Sequence, residues 1–322
     1  MKQKKHLKNL IKAFAFVLLV VLLLWGITRL MQPKYYFASQ LKTPETELWN
    51  EFYALPKNDV EVLFLGASSV YCGVDAPEVG ALTGRKVYTM ASSSARMYDL
   101  YYMFQEALRF QTPETVVLDM GCIRFETYGF DRIYKRTYDD MRWSSVKLEA
   151  LSGRNAHLEK KEPLINRFIT LLDFHSRWNE LTEVDFFPWK YKTIERGFVP
   201  CEDVGRDLRH DQFETVEEAV PDDTTLAYFG RIVDTCAEKR IRLVLVKVPS
   251  ISWHVSWSEE ASRIAARYGL LYTDYNDEAN YPRIGINDET DWRDDIHLNK
   301  YGAKKFAKVL SEDLMDILKD EQ

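Results

Sequence analysis

Four short apolar runs, separated by segments with helical periodicity, constrain this chain more than any other feature. They are VEVLFLG (60–66), KVYTMA (86–91), TVVLDMG (115–121) and IRLVLVKV (241–248). None sustains the apolar–polar alternation of a half-exposed strand, so each reads as a strand buried on both faces. Helices are expected at 75–83, 98–110, 222–239, 258–268 and 299–318, and a fifth short strand within GLLYTDY (269–275). In the last helix Phe306, Val309, Leu310, Leu314 and Ile317 fall on one face. Buried strands alternating with helices predict a three-layer α/β/α fold around a parallel sheet.

The alternation lapses between the third and fourth runs. Residues 123–221 are helical pieces rich in aromatics, densest at FFPWKYK (186–192), and predict one large insertion in a domain spanning 59–322. That patch is expected to be insertion core or a membrane contact, with a sugar-stacking platform as the alternative. Residues 32–58, punctuated by Pro33, Pro44 and Pro56, read as a linker.

The N-terminus differs in kind. Lys2, Lys4, Lys5, Lys8 and Lys12 form a basic head before the uncharged run AFAFVLLVVLLLWGI (13–27). A helix through residues 10–31 supplies the roughly 20 residues needed to cross a bilayer. Trp25 and Arg29 sit at the far end, where aromatic and basic side chains favour the interface. The basic head predicts a cytoplasmic N-terminus and an extracytoplasmic domain. The following TRLMQPKYYFASQ offers no small-residue cleavage site close by, which favours an anchor (1–31) over a removed signal peptide.

The net charge of −6 argues against a nucleic-acid partner. Cys72, Cys122, Cys201 and Cys236 have neither C-x-x-C spacing nor a disulfide framework, and no His/Cys cluster has metal-ligand spacing. Cys72 and Cys122 each follow a predicted strand and could come close in space, but no disulfide is expected between them. No cofactor or metal is implied.

Ligands of open parallel sheets bind at the carboxyl ends of the strands. Those positions here carry Gly66-Ala67-Ser68-Ser69, then Ser92-Ser93-Ser94, then Asp119 and Cys122, then Lys247, Trp253 and His254. Before the last helix stands Asp294-Asp295-Ile296-His297-Leu298-Asn299. A serine hydroxyl needs a base, usually histidine, held by a carboxylate. Asp294-x-x-His297 supplies both within one turn, and Ser68 is the candidate nucleophile. The alternatives are a helix-capping Ser68, a structural His297, and Asp295 in place of Asp294. Lys247 and Trp253 are candidate substrate contacts or packing residues. Asp119 is expected to bond a neighbouring loop, and His254 to be packed or solvated.

LFLGASSV resembles the first block of the SGNH/GDSL hydrolases, and DDIHLNKYGAKKF resembles their last block, D-x-x-H-L-N-x-x-G. The resemblance covers roughly 58–122 and 222–318. It implies a flavodoxin-like fold, with Ser68 as nucleophile, His297 as base and Asp294 as its orienting carboxylate. Ala67, where the family often has Asp, makes the first block look more like a membrane-anchored branch related to DltD, the D-alanyl-lipoteichoic acid transfer protein, and to alginate O-acetylation proteins. The second block, which in the family gives a glycine N–H to the oxyanion hole, places Ser94 near that position; a serine there is expected to avoid positive φ. The third-block G-x-N-D is absent, leaving the asparagine donor unassigned. The resemblance implies transfer or hydrolysis of a small acyl group on a cell-surface glycan or cell-wall polymer, with a multi-pass membrane O-acyltransferase as a possible partner.

Overall fold

The structure is a computed structural model. It describes residues 2–35, 44–126, 134–157, 161, 163, 165–206, 208–210, 214 and 219–319. Five strands, β1 (Val62–Gly66), β2 (Val87–Ala91), β3 (Thr115–Asp119), β4 (Arg242–Lys247) and β5 (Tyr272–Asp274), form one sheet in the order β2-β1-β3-β4-β5. Every pairing is parallel, with Val62 opposite both Val87 and Thr115, Thr115 opposite Arg242, and Leu245 opposite Tyr272. This is the flavodoxin-like doubly wound order, whose switch point lies between β1 and β3.

The helices follow in chain order: α1 (Lys2–Met31), α2 (Glu45–Ala54), α3 (Ser68–Gly73), α4 (Ala76–Thr83) and α5 (Met97–Ala107). The insertion holds α6 (Tyr134–Asp139), α7 (Ser145–His157) and three single turns, α8 (Ile165–Phe168), α9 (Leu171–Phe174) and α10 (Glu183–Phe186). Then come α11 (Asp223–Lys239), α12 (Val255–Tyr268), the single turn α13 (Tyr281–Ile284) and α14 (Lys300–Lys319).

Because side chains alternate along a strand, each strand feeds two cores. Leu63, Leu65, Tyr88, Met90, Val116, Leu118, Leu243 and Leu245 pack with α2, α5, α7, α11 and α12. Val62, Phe64, Val87, Val117, Val244 and Val246 pack with α3, α4 and α14. These are the two outer layers predicted from the buried strands.

Residues 36–43 of the expected 32–58 linker lie outside the described residues; over 44–54 the linker reading is corrected. Leu48, Trp49 and Phe52 of α2 are almost fully buried. The Trp49 indole donates to the Thr137 carbonyl (2.7 Å), and the Tyr88 hydroxyl donates to Leu48 O (3.0 Å). Glu51 accepts from the Arg196 and Gly197 amides of the insertion (2.9 and 2.8 Å). Helix α2 therefore belongs to the domain and joins the sheet to the insertion.

The insertion is fastened to the same body. Arg154 and Asp99 form an ion pair at 3.2 Å with both side chains buried, and the Tyr138 hydroxyl donates to the same carboxylate oxygen (2.9 Å). A buried charge with these partners is costly to strip of either one. The FFPWKYK patch is not insertion core: Phe186, Phe187 and Trp189 are exposed. It lies near the C-terminal end of α1, where Arg177 donates to the Met31 carbonyl (2.6 Å) and α10 packs on α1. Helix α1 itself is long and apolar enough to cross a membrane, with a mean hydropathy of 2.7 and none of its apolar window buried.

Gly66 ends β1. Its backbone is not among the glycines with positive φ. Its role is space: a Cβ there would lie 2.1 Å from Val70 Cγ2 of α3 and 3.2 Å from Asp119 Cβ of β3. Gly66→Ala is expected to push α3 off the sheet and destabilise the fold by about 1–3 kcal/mol, measured by urea unfolding. A loss below about 0.5 kcal/mol would contradict this packing account.

Candidate active site

Ser68 is the first residue of α3, immediately past the carboxyl end of β1. The helix N-cap is Ala67, so the Ser68 side chain is not the cap. Its hydroxyl donates to His297 Nε2 at 2.7 Å. His297 Nδ1 lies 2.7 and 2.9 Å from the two Asp294 carboxylate oxygens. An ionised carboxylate only accepts hydrogen bonds. The ring proton therefore belongs on Nδ1, and the Nε2 lone pair faces the hydroxyl.

The last sequence block has a physical reason at most of its positions. Residues 292–298 form a tight loop closed by the Trp292–Leu298 bridge, rather than a helical turn. Asp294 Oδ1 also accepts the backbone N–H groups of Ile296 and His297, both at 2.9 Å. Partial burial pushes the Asp294 carboxyl up, but its bond to His297, the His297 charge and those two amides outweigh this and hold it below the usual range. Leu298 is core. Buried Asn299 accepts from the Gly302 amide (3.2 Å), capping α14, and donates to Thr290 O (2.7 Å). A Cβ on Gly302 would fall 2.4 Å from Asp291 O. Asp295 points elsewhere, accepting from the Arg209 amide (3.0 Å), so Asp294 is the carboxylate beside His297.

A cavity of about 140 Å³ lies beside Ser68 and His297, lined also by Ser94, Gly121, Arg124 and Lys247. Larger cavities exist, including one of about 730 Å³ between the end of α1, α2 and the α6–α7 region, but that one does not touch the triad. The floor of the small cavity is charged. Asp119 accepts from the Val248 amide (3.0 Å) and from the Gly121 amide (3.1 Å), bonding its neighbouring loops as expected. Lys247 Nζ lies 3.7 Å from Asp119 and donates to Val248 O (2.7 Å). Burial pulls its ammonium below the ordinary lysine value despite Asp119.

Lys247 thus reaches the cavity while committed to internal partners. Trp253 does not reach it: the ring is fully buried, and its Nε1 donates to Ser258 (2.9 Å). Its substrate-contact role is corrected to packing, because the chain after β4 folds the indole inward over α12. His254 is the N-cap residue of α12, away from the triad's bonds. Arg124 was not singled out in the sequence, although it follows β3 at the productive edge. Its guanidinium lies over the Phe125 ring (4.9 Å), donates to Ser252 O (3.2 Å), and keeps a buried Nε without a partner.

Ser94 has φ +52°, against the expectation that a serine here would avoid positive φ. The neighbouring contacts explain it. The Ser93 amide donates to Glu45 of α2 (2.8 Å), Ser93 Oγ bonds the Tyr71 hydroxyl of α3 (2.9 Å), and Ser92 Oγ bonds Thr137 (2.7 Å). The turn is over-determined, and Ser94 carries the strain. A left-handed residue with a Cβ costs about 1–2 kcal/mol, partly offset by glycine's larger entropy loss. Ser94→Gly is expected to stabilise the fold by about 0.5–1 kcal/mol. Urea midpoints would check it, a lower midpoint for the variant counting against the strained turn.

No family model matches the sequence, and no curated protein matches it. Among solved structures, the chain is similar to a Bacteroides fragilis protein assigned as an acylhydrolase, at 11% identity and a TM-score of 0.41, over 84% of this chain and 95% of that one. It is also similar to a GDSL-like lipase from Bacteroides thetaiotaomicron, at 10% identity and a TM-score of 0.40, over 85% and 98%. At this distance the likeness says nothing of chemistry, and function is argued from the residues themselves.

Proposed function

We propose that the protein is a membrane-anchored, extracytoplasmic serine esterase or O-acyltransferase of the SGNH type, acting on small acyl esters of a cell-surface polysaccharide or cell-wall polymer. The Asp294–His297–Ser68 relay, with its 2.7 Å contacts, carries this reading. Three side chains from two distant stretches of sequence meet at the carboxyl end of a parallel sheet, each in the protonation role that acyl transfer requires.

Ser68 Oγ attacks the ester carbonyl while its proton passes to His297 Nε2, and Asp294 stabilises the resulting imidazolium. The imidazolium then protonates the departing alcohol, leaving an acyl-Ser68. Water or a sugar hydroxyl, deprotonated by the same nitrogen, releases the acyl group. The small cavity suits a small acyl group. The backbone N–H groups of Ser68 and Ser94 are the candidate oxyanion donors, and the Arg124 side chain lines the same cavity. The basic head and apolar α1 favour an outward-facing domain. The exposed Phe186, Phe187 and Trp189 near the end of α1 suit a membrane interface better than a sugar platform. In the transfer version, a multi-pass membrane O-acyltransferase supplies the acyl group.

A non-catalytic binding or assembly role in envelope acylation is the second reading. It is favoured by strained Ser94 at the oxyanion position and by a cavity wall without an asparagine among its described residues. A fluorophosphonate probe read by intact mass separates the two. One adduct on the wild type, absent from Ser68→Ala and His297→Ala, is the expected result. A folded wild type that takes no adduct would favour the binding role.

A further inference from the structure

Cys72 lies on α3, four residues after Ser68, and Cys201 lies on the stretch where the insertion returns to the sheet. Their sulfurs are 3.2 Å apart and both residues are fully buried. The backbone around them already joins three parts of the site. The Val199 amide donates to Tyr71 O (2.8 Å), fastening the return stretch to α3. The Lys300 amide donates to Cys201 O (2.8 Å), fastening the same stretch to the start of α14, three residues after His297. Cys122, which the sequence allows near Cys72, belongs to the core on the opposite face of the sheet.

We propose that Cys72 and Cys201 form a disulfide that staples the returning end of the insertion to the nucleophile-bearing helix. The sulfurs need only a small side-chain movement to reach bonding geometry. An extracytoplasmic compartment permits the bond. Arg293 stands beside both sulfurs. The bond from Cys72 pulls the Cys201 thiol down against its burial, with help from Arg293, whose guanidinium lies 3.8 Å from Cys201 Sγ and 4.0 Å from Cys72 Sγ. Burial pushes the Cys72 thiol up.

Because both sulfurs are buried in the folded chain, exchange takes place while the insertion is open. The oxidant is a disulfide, either a small molecule such as glutathione disulfide or a protein dithiol-disulfide. One cysteine of the pair, as its thiolate, attacks one oxidant sulfur, forming a mixed disulfide and releasing the other sulfur as a thiolate. The second cysteine, as its thiolate, then attacks the protein sulfur of the mixed disulfide and releases the second oxidant thiolate. The oxidant S–S bond is broken and one protein S–S bond is formed. The two thiol protons pass to solvent or to the two released thiolates, and two electrons move from the cysteine pair to the oxidant.

The test uses the full chain purified in detergent under reductant. It is equilibrated in glutathione buffers from reducing to oxidising, with sub-denaturing urea to open the insertion. The protein is then unfolded and its thiols are counted by maleimide mass tagging. All four cysteines are free at the reducing end. Two tags, a peptide cross-link joining Cys72 to Cys201, and a Tm about 5–10 °C above the reduced chain are expected at the oxidising end. Cys72→Ala and Cys201→Ala each lose the cross-link and the Tm gain. The Cys122→Ala/Cys236→Ala variant keeps both. Ser68→Ala forms the same link, which separates this proposal from the hydrolase reading. Four tags at the oxidising end, or a link through Cys122 or Cys236, would overturn it.

Discussion

Replacing Ser68 by alanine is expected to abolish fluorophosphonate labelling and to lower ester turnover by about 10⁴–10⁶-fold, with the fold unchanged. No neighbouring hydroxyl can take over. Ser69 is next in sequence, but the hydroxyl bonded to His297 Nε2 is that of Ser68. Ser68 is only half-buried and is not the cap of α3, so its loss removes one side-chain bond and no core volume. Stability should stay within about 0.5 kcal/mol. His297→Ala should cost nearly as much in turnover, because a nucleophile and its base act as a unit. The double variant should then be little worse than either single one. Turnover within tenfold of wild type for Ser68→Ala, measured on a small acetyl ester, would remove Ser68 from the mechanism.

How much of this was visible in the sequence depends on the range of the interaction. The four long strands were legible because strands buried on both faces must be apolar throughout, as in Leu63–Leu65 and Leu243–Val246. The stripe on α14 was legible for the same reason. The triad was legible because Asp294 and His297 are three residues apart, and Ser68 follows a strand end whose position the fold class dictates. Helix α2 was missed because a ten-residue helix between Pro44 and Pro56 carries its apolar signal, Leu48, Trp49, Phe52, Tyr53 and Ala54, over only about three turns. It is held by tertiary contacts: Leu48, Trp49 and Phe52 in the cores over the sheet, and Glu51 bonded to Arg196 and Gly197 of the insertion.

The misassigned side chains share a cause as well. Trp253 and Lys247 were placed correctly at the edge of β4, but sequence position does not say which way a side chain turns. Trp253 turned inward, and Lys247 faces the cavity with its charge spent on Asp119 and Val248. The Cys72–Cys201 approach joins residues 129 apart in sequence, across an insertion that has no strand pattern to set its path. Ser94 is the most instructive case. The local preference of serine argued against positive φ, and three tertiary bonds on the residues beside it prevailed.

Asp294→Asn should show how the histidine is set, and here the acceptor arrangement decides the outcome. Oδ1 of the side chain accepts from the Ile296 and His297 amides, and an asparagine carbonyl can keep both bonds. The loop should therefore stay closed. The amide nitrogen, however, would face His297 Nδ1, where the structure has carboxylate oxygen at 2.9 Å. An amide N–H cannot accept the ring proton, so only the oxygen at the Oδ1 position, 2.7 Å from Nδ1, is left to hold it, while the amide N–H opposes it. Where the proton moves to Nε2, that nitrogen no longer serves as the base for Ser68; where it stays, the imidazolium has lost the carboxylate charge that stabilised it. The corresponding change in a serine-protease triad costs about 10⁴ in rate. The Asp294 side chain is 46% exposed, so water screens part of its charge, and a loss of about 10²–10³ is expected here. Asp294→Ala, which also removes the acceptor for two loop amides, should lose as much turnover and lower the Tm besides. Stopped-flow labelling with the fluorophosphonate, beside thermal melts of both variants, checks the split. If Asp294→Asn labels at the wild-type rate, the carboxylate holds the loop and not the proton, and Ser68 draws its base from His297 alone.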